Sequence, residues 1–175
     1  MTTEIALFYG SSTCYTEIAS EKIQTELQDK FDVSIKLFNI AEEDILQAQD
    51  FEYLLFGIPT WDYGELQEDW EDCWDNIDDI DFSGKKVAIF GLGDQVGYPE
   101  WFLDAMGYLH DKVAALGAQM CGYWPNQGYS FDGSTALTED ETLFKGLALD
   151  EENEFEQTEA RISQWCQQIM AEFQT

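Results

Sequence analysis

The chain has 175 residues, 45% of them hydrophobic, which suits one domain with a full core, is short for two, and is too apolar for a disordered chain. Eight Lys and Arg against 36 Asp and Glu leave a formal charge of −28. Such a surface repels nucleic acid and anionic membranes and attracts basic protein faces over long range, although solubility or adaptation to salt also accounts for the charge taken alone.

The N-terminal segment has neither a basic n-region nor a long apolar run, and no stretch nears the roughly 18 apolar residues of a membrane span, so no signal peptide or anchor is expected. A first strand is predicted at Ile5–Tyr9, apolar on nearly every position as a strand buried on both faces should be. It ends at Gly10, and a helix follows from about Tyr15 to Lys30 with Ile18, Ala19, Ile23 and Leu27 on its inner face. Val33–Phe38 alternates and reads as a strand nearer an edge. Tyr53–Ile58 is a third, buried strand stopped by Pro59. Between Glu65 and Asp81 nine acids and no base alternate with Leu66, Trp70, Trp74, Ile77 and Ile80, the pattern of a short helix and loop wet on one side and packed on the other.

Lys85–Phe90 is a fourth strand, ending in the turn Gly91-Leu92-Gly93. Phe102, Met106, Leu109, Val113 and Leu116 mark a helix closed by Gly117. Gln119–Trp124 is a fifth strand, interrupted by a polar insertion at Pro125–Phe144 and resumed at Leu147–Leu149. The last helix carries Ile162, Trp165, Cys166, Ile169 and Phe173 on its buried stripe. Strands alternating with helices imply parallel pairing, hence one α/β domain over residues 1–175: a three-layer, doubly wound, five-stranded parallel sheet. Ligands of such sheets bind beyond the carboxyl ends of the strands, which directs attention to the loops after strands one, three and four.

After strand one, Gly10-Ser11-Ser12-Thr13-Cys14-Tyr15-Thr16-Glu17 leads four hydroxyls into a helix N-terminus. That arrangement suits an anion, and serves equally well as an ordinary N-cap. After strand three comes Pro59-Thr60-Trp61-Asp62-Tyr63-Gly64, with a Trp poorly placed to be core. After strand four comes Gly91-Leu92-Gly93-Asp94-Gln95-Val96-Gly97-Tyr98, where two closely spaced glycines would let a ligand approach the backbone. The loop lacks the dinucleotide fingerprint spacing. A phosphate nest beside two aromatics, Trp61 and Tyr98, suits a phosphorylated flat ring such as FMN.

The strings GSSTCYTE, GIPTWDYGELQEDW, GLGDQVGYPEWFLDAMG and GLALDEEN resemble, in order and over essentially the whole chain, those of the flavodoxin family, most of all its long-chain branch and the enterobacterial B type. The resemblance implies the strand order 2-1-3-4-5, non-covalently bound FMN, and a low-potential one-electron carrier with no catalytic residue of its own. It assigns the phosphate to Ser11, Ser12, Thr13, Cys14, Tyr15 and Thr16. The isoalloxazine falls to Pro59, Thr60, Trp61, Asp62, Tyr63 and Gly64 on one side, and to Gly91, Leu92, Gly93, Asp94 and Tyr98 on the other. The common pattern has Gly then Asn where this chain has Cys14 and Tyr15, which bears on packing of the phosphate loop and exposes Cys14 to thiol chemistry. The Asp62–Tyr63 peptide is the one expected to turn toward flavin N5 and stabilise the neutral semiquinone. Many members carry Gly there, and Asp tolerates unusual φ less well.

The implied partners are a flavodoxin/ferredoxin-NADP reductase-type donor and basic-faced acceptor redox enzymes, steered by Glu65, Glu68, Asp69, Glu71 and Asp72. No nucleic acid or membrane is expected to bind, and the chain is expected to be a cytoplasmic monomer. Cys14, Cys73, Cys121 and Cys166 are far apart, without metal-ligand spacing, as in a reduced compartment; the last three read as small buried fillers. Trp70, Trp74 and Trp165 read as packing residues, and His110 as a surface or cap-like one. Two alternatives share the topology. An FMN-dependent quinone or azo reductase needs a roomy face over the ring, where Tyr98 stands. A flavin-free response-regulator-like domain wants acids at the end of strand one, where this chain has hydroxyls.

Overall fold

A computed structural model describes residues 2–175. Seven runs of residues build the main sheet. The strands β1 (Thr3–Tyr9), β2 (Val33–Asn39), β3 (Tyr53–Trp61), β5 (Lys86–Leu92) and β6 (Gln119–Cys121) lie in the order β2-β1-β3-β5-β6, all parallel. The short β4 (Glu65–Leu66) folds back antiparallel on the end of β3, pairing Thr60 with Leu66 and Trp61 with Glu65. β9 (Leu147–Leu149) continues the edge that β6 begins, pairing with Phe90–Leu92 of β5. Counting β6 and β9 as one interrupted strand gives the expected order 2-1-3-4-5.

The helices are α1 (Tyr15–Lys30), α2 (Glu68–Cys73), α3 (Asp104–Ala115), α4 (Glu151–Glu154) and α5 (Thr158–Phe173). Consecutive strand residues point to opposite faces of a sheet. Phe90 of β5 meets Trp165 of α5 at 6.1 Å between ring centroids, while a Cβ on the next residue, Gly91, would meet Met106 and Leu103 beside and within α3. The sheet therefore lies between α5, with α1 packed beside it, and α3. Its strands are buried on both faces: Ile5, Leu7, Phe8, Leu54, Leu55, Val87 and Ile89 expose nothing.

The structure departs from the sequence reading at several points, first at two strand ends: β3 runs on through Pro59 to Trp61 and β5 through Gly91 to Leu92, because Ile58 still pairs with Gly91 and Pro59 with Leu92. Ile18 is 44% exposed, and the buried face of α1 is formed by Thr16, Ala19, Ser20, Ile23 and Leu27. The fifth strand stops at Cys121, because Gly122 takes φ 77° and turns the chain out of the sheet. Trp124–Pro125 then pairs with Leu143–Phe144 in a separate antiparallel ribbon, β7 with β8. The insertion is far from structureless: Tyr129 and Phe144 pack on Phe102, Ala136 and Phe144 are wholly buried, and the Tyr129 hydroxyl donates to the Ala148 carbonyl at 2.6 Å.

Candidate functional site

The carboxyl ends of β1, β3 and β5 deliver three loops to one groove. From the first loop it is lined by Thr13, Tyr15 and Thr16. No side chain caps α1, so the N–H groups of its first turn stay open to an anion. The Ser11 hydroxyl oxygen is buried without a hydrogen-bond partner, and Ser11, like Cys14, stands outside the groove lining. Ser12 lies off the groove and accepts from Gln67 Nε2 at 3.1 Å, tying this loop to the segment after β4. No Lys or Arg lines the groove among the described residues, so an anion here rests on amides, hydroxyls and the helix dipole.

Cys14 is exposed, stands at the N-cap of α1 outside the groove lining, and takes φ 69°, a left-handed conformation that costs a side-chain-bearing residue of order 1 kcal/mol or more. Cys14→Gly is expected to raise the stability of the apoprotein by about 0.5–1 kcal/mol in urea unfolding, because relief of the strain exceeds the added entropy of the unfolded chain. A lower stability would show that Cys14 is held in place by contacts of greater worth.

From the second loop Pro59, Thr60, Trp61 and Asp62 line the groove. The loop is short and sharply bent: β3 and β4 pair right up to Trp61 and Glu65, so Asp62-Tyr63-Gly64 must close the hairpin, and Asp62 takes φ 45° and Gly64 φ 86°. Gly64 is turned away from the groove, since a Cβ there would lie 2.8 Å from Asp104 Oδ2. Thr60 Oγ1 accepts from the Ala105 N–H at 3.0 Å, anchoring the loop to the start of α3. Trp61 is half-buried, and its Nε1 is buried without an acceptor. Tyr63 is 67% exposed and sits edge-on to Trp101 and Tyr98, with ring centroids 5.0 and 6.3 Å apart.

From the third loop Leu92, Gly93, Asp94 and Tyr98 line the groove. The glycines have another reason than the one read from sequence: a Cβ on Gly91 would meet Met106 and Leu103, and one on Gly93 would meet Leu103 and Phe102, so both glycines let the start of α3 close on the sheet. Gly91 does not line the groove, although its neighbour Leu92 does. Asp94 Oδ1 accepts from the N–H groups of Gly97 (2.7 Å) and Val96 (3.1 Å) and from Asn153 Nδ2 (2.8 Å). Burial opposes ionisation of this carboxyl, but those donors outweigh it and hold its pKa below the usual range, so Asp94 carries its charge at neutral pH.

Glu151 and Glu152 also line the groove and were not singled out from the sequence. They open α4 directly after β9, at the same sheet edge as the three loops, with Asp150 as the N-cap accepting from the Asn153 N–H. Once Leu147–Leu149 is read as the top of the fifth strand, the residues following it are placed at the site. The acids Glu65, Glu68, Asp69, Glu71 and Asp72 follow the second loop on β4 and α2, Asp69 half-buried and the rest exposed.

Other side chains take structural roles. Trp70 and Trp165 are wholly buried, donating to the Gly57 and Gly122 carbonyls at 3.0 and 2.9 Å. The Lys112 ammonium lies 5.0 Å over the Trp74 ring. His110 is buried, contrary to a surface position: its Nε2 meets the Tyr123 hydroxyl and its Nδ1 meets Asp111, both at 2.9 Å, and burial lowers its pKa despite Asp111. Burial pushes the thiols of Cys73 and Cys121 up to about 11 and that of Cys166 up to about 12, leaving them inert fillers. Among the described residues no group of His, Cys, Asp and Glu could hold a metal ion, and no helix is long and apolar enough to cross a membrane.

Known proteins resemble this chain in sequence and in fold. A family model described as Flavodoxin matches residues 7–165. Flavodoxin 2 of Escherichia coli strain K12 is 49% identical over 168 residues, covering 96% of this chain and 95% of that protein. The flavodoxin of Synechococcus elongatus is 45% identical over 170 residues, covering 97% and 98%. Among solved structures, Fusobacterium nucleatum flavodoxin bound to flavin mononucleotide superposes with a TM-score of 0.90 at 31% identity, covering 98% of this chain and 99% of that one. A matching family model over nine-tenths of the chain, relatives near half-identical from end to end and a solved structure of the same fold lead to one conclusion: the chain belongs to the flavodoxin family.

Proposed function

We propose that this chain binds FMN non-covalently in the groove and serves as a low-potential one-electron carrier, taking electrons from a reductase of the flavodoxin/ferredoxin-NADP type and passing them to basic-faced acceptor enzymes. One observation carries the reading: the uncapped N-terminus of α1, with Thr13, Tyr15 and Thr16 on the groove and the unpartnered buried hydroxyl of Ser11 just before them in the chain, shares one groove with two aromatic side chains, Trp61 and Tyr98. An anion and a flat ring, joined by a chain that spans the groove, answer both halves of that description.

Residues Ser11, Ser12, Thr13, Cys14, Tyr15 and Thr16 would hold the phosphate through amides and hydroxyls. Pro59, Thr60, Trp61, Asp62, Tyr63 and Gly64 would form one wall around the ring, with Gly91, Leu92, Gly93, Asp94 and Tyr98 as the other. Bound FMN supplies the one-electron chemistry. The aromatic walls keep water from the ring, while ionised Asp94 and the neighbouring Glu151 and Glu152 oppose the arrival of further negative charge, which makes the reduced protein a strong reductant. No nucleophile, general base or metal is called for. A quinone or azo reductase would need an open face over the ring, and Tyr98 lines that side of the groove. We place the carrier in the cytoplasm as a monomer, its acids on β4 and α2 facing partners beside the ring.

Anaerobic photoreduction of the FMN-loaded chain tests this: reduction in two resolved one-electron steps is expected, and a single two-electron step would overturn the reading. The same titration examines Asp62, whose φ of 45° hinders any rearrangement of the Asp62–Tyr63 peptide. Asp62→Gly is expected to raise the potential of the first step by about 60 mV, a tenfold change for a one-electron couple. Asp62→Asn removes the charge and keeps the Cβ, and should produce only the electrostatic part of that rise. Equal values for the two variants would remove the backbone from the explanation.

A further inference from the structure

Residues 122–146, which interrupt the fifth strand, reach back to the site at two points. The Thr135 N–H donates to Asp104 Oδ1 at 2.8 Å and its hydroxyl to the Asp104 carbonyl at 3.0 Å, at the turn of α3 whose Ala105 N–H holds Thr60. The Ser130 N–H donates to Gln95 Oε1 at 2.7 Å. Gln95 is only 5% exposed although the next residue, Val96, is 69% exposed, so the loop between Gly93 and Tyr98 turns the Gln95 side chain inward while Val96 stays outside.

What that side chain meets is specific. Gln95 Nε2 donates to Asp150 Oδ2 at 2.8 Å and to Glu154 Oε1 at 2.7 Å, and the Gln95 backbone N–H also reaches Asp150 Oδ2, at 3.1 Å. Asp150 is wholly buried, and Arg161 Nη2 holds the far side of Glu154 Oε1 at 3.1 Å. With two carboxylates on one side and an N–H donor on the other, the amide has one satisfactory orientation, and a carboxylate or an apolar side chain of similar shape could not replace it. Gln95 itself does not line the groove.

We propose that Gln95 is a positioning residue: it ties the Gly93–Tyr98 loop to both the insertion and the start of α4, so that the insertion sets the shape in which Tyr98 and Asp94 face the groove. The identity of the bound ring rests on the FMN reading above, whereas the pin itself is a property of the chain alone. Buried polar networks of this kind rigidify a loop when every member is satisfied, and release it when one is removed.

Hydrogen exchange of the apoprotein tests the pin without any ligand. The amides of Gly97 and Tyr98 are bonded to Asp94, at 2.7 and 3.0 Å, and report on the loop. Gln95→Met is expected to speed their exchange about tenfold or more while the amides of β1 stay as in the parent chain. Ser130→Pro, which leaves Gln95 intact but removes the insertion's N–H donor and fixes the backbone at that residue, should speed the same amides, and should add little in the Gln95→Met background. Ser130→Ala keeps the N–H and should change nothing. In the loaded protein, Gln95→Met should weaken FMN binding about tenfold and alter the visible circular dichroism of the flavin. Loop exchange within twofold of the parent in Gln95→Met, or additive effects of the two substitutions, would overturn the proposal. If Gln95→Met does not fold, Ser130→Pro against Ser130→Ala decides it: equal exchange in those two overturns it. A parent chain that fails to take up FMN would sink the functional reading and leave the exchange result standing.

Discussion

Replacing Glu65, Glu68, Asp69, Glu71 and Asp72 together by their amides is expected to slow association with a basic-faced reductase about 10- to 100-fold at low ionic strength. The five acids follow the second loop of the groove along β4 and α2, and no base interrupts them. They therefore concentrate part of a −28 charge on the elements that follow Trp61. Exposed charges of this kind act on the encounter more than on the docked complex, so dissociation should change little. At about 0.1 M salt the Debye length is about 10 Å, and the difference between parent and variant should shrink steeply as salt is added. Three of the acids sit in the first turn of α2, where the helix dipole favours them, so the variant should also lose a few tenths of a kcal/mol, to be checked by circular dichroism. Neutralising Asp29, Asp32 and Glu52, which precede β2 and β3 at the opposite edge of the sheet, is the control. Equal slowing per charge removed by the two sets would mean that only net charge matters and that no docking face exists on β4 and α2. Stopped-flow reduction over a range of salt concentrations reads all of this.

The sheet was legible because its strands are buried on both sides and so read as unbroken apolar runs, as at Ile5–Tyr9 and Lys85–Phe90, although the second of these continues to Leu92. The groove was legible through turn chemistry at the carboxyl ends of those runs, and the same rule extends to Glu151 and Glu152, which were passed over because acids opening a helix look like ordinary first-turn residues. His110 stands on the stripe Met106, Leu109, His110, Val113, so its burial was present in the helical period; its chemistry suggested water, and Tyr123 and Asp111 supplied partners from elsewhere. Ile18 sits one position outside the stripe that the interior occupies. Gln95 had no local signal at all. A glutamine in a glycine-rich loop reads as solvated, and what buries it is Asp150, Glu154 and Ser130, 35 to 59 residues further along the chain. Hydrophobic period and turn residues encode elements and edges; pairings of polar side chains across an insertion are settled only when the chain closes.

Trp61→Ala is expected to weaken FMN binding 10- to 100-fold, measured by titrating the apoprotein against FMN fluorescence. Stacking of a flat ring on an aromatic side chain is worth about 1–3 kcal/mol, and Trp61 is the more sheltered of the two aromatics, half-buried against Tyr98 at 38% exposed. Its backbone is fixed by pairing with Glu65, and the Thr60 hydroxyl beside it is fixed by Ala105, so the indole is presented before any ligand arrives and little ordering cost remains to be met on binding. Tyr98→Ala should therefore cost less, about threefold to tenfold, because a side chain already open to water loses less on truncation. Trp61→Phe separates two contributions. It keeps a ring on which to stack but removes the buried, unpartnered Nε1, so it should fall within about fivefold of the parent if stacking dominates. If it falls as far as the alanine variant, the indole N–H finds its acceptor on the ligand, and the wall contributes a hydrogen bond in place of a face. Binding of Trp61→Ala within twofold of the parent would mean that the phosphate end, held by the open N-terminus of α1 and the Ser11 hydroxyl, carries the affinity alone.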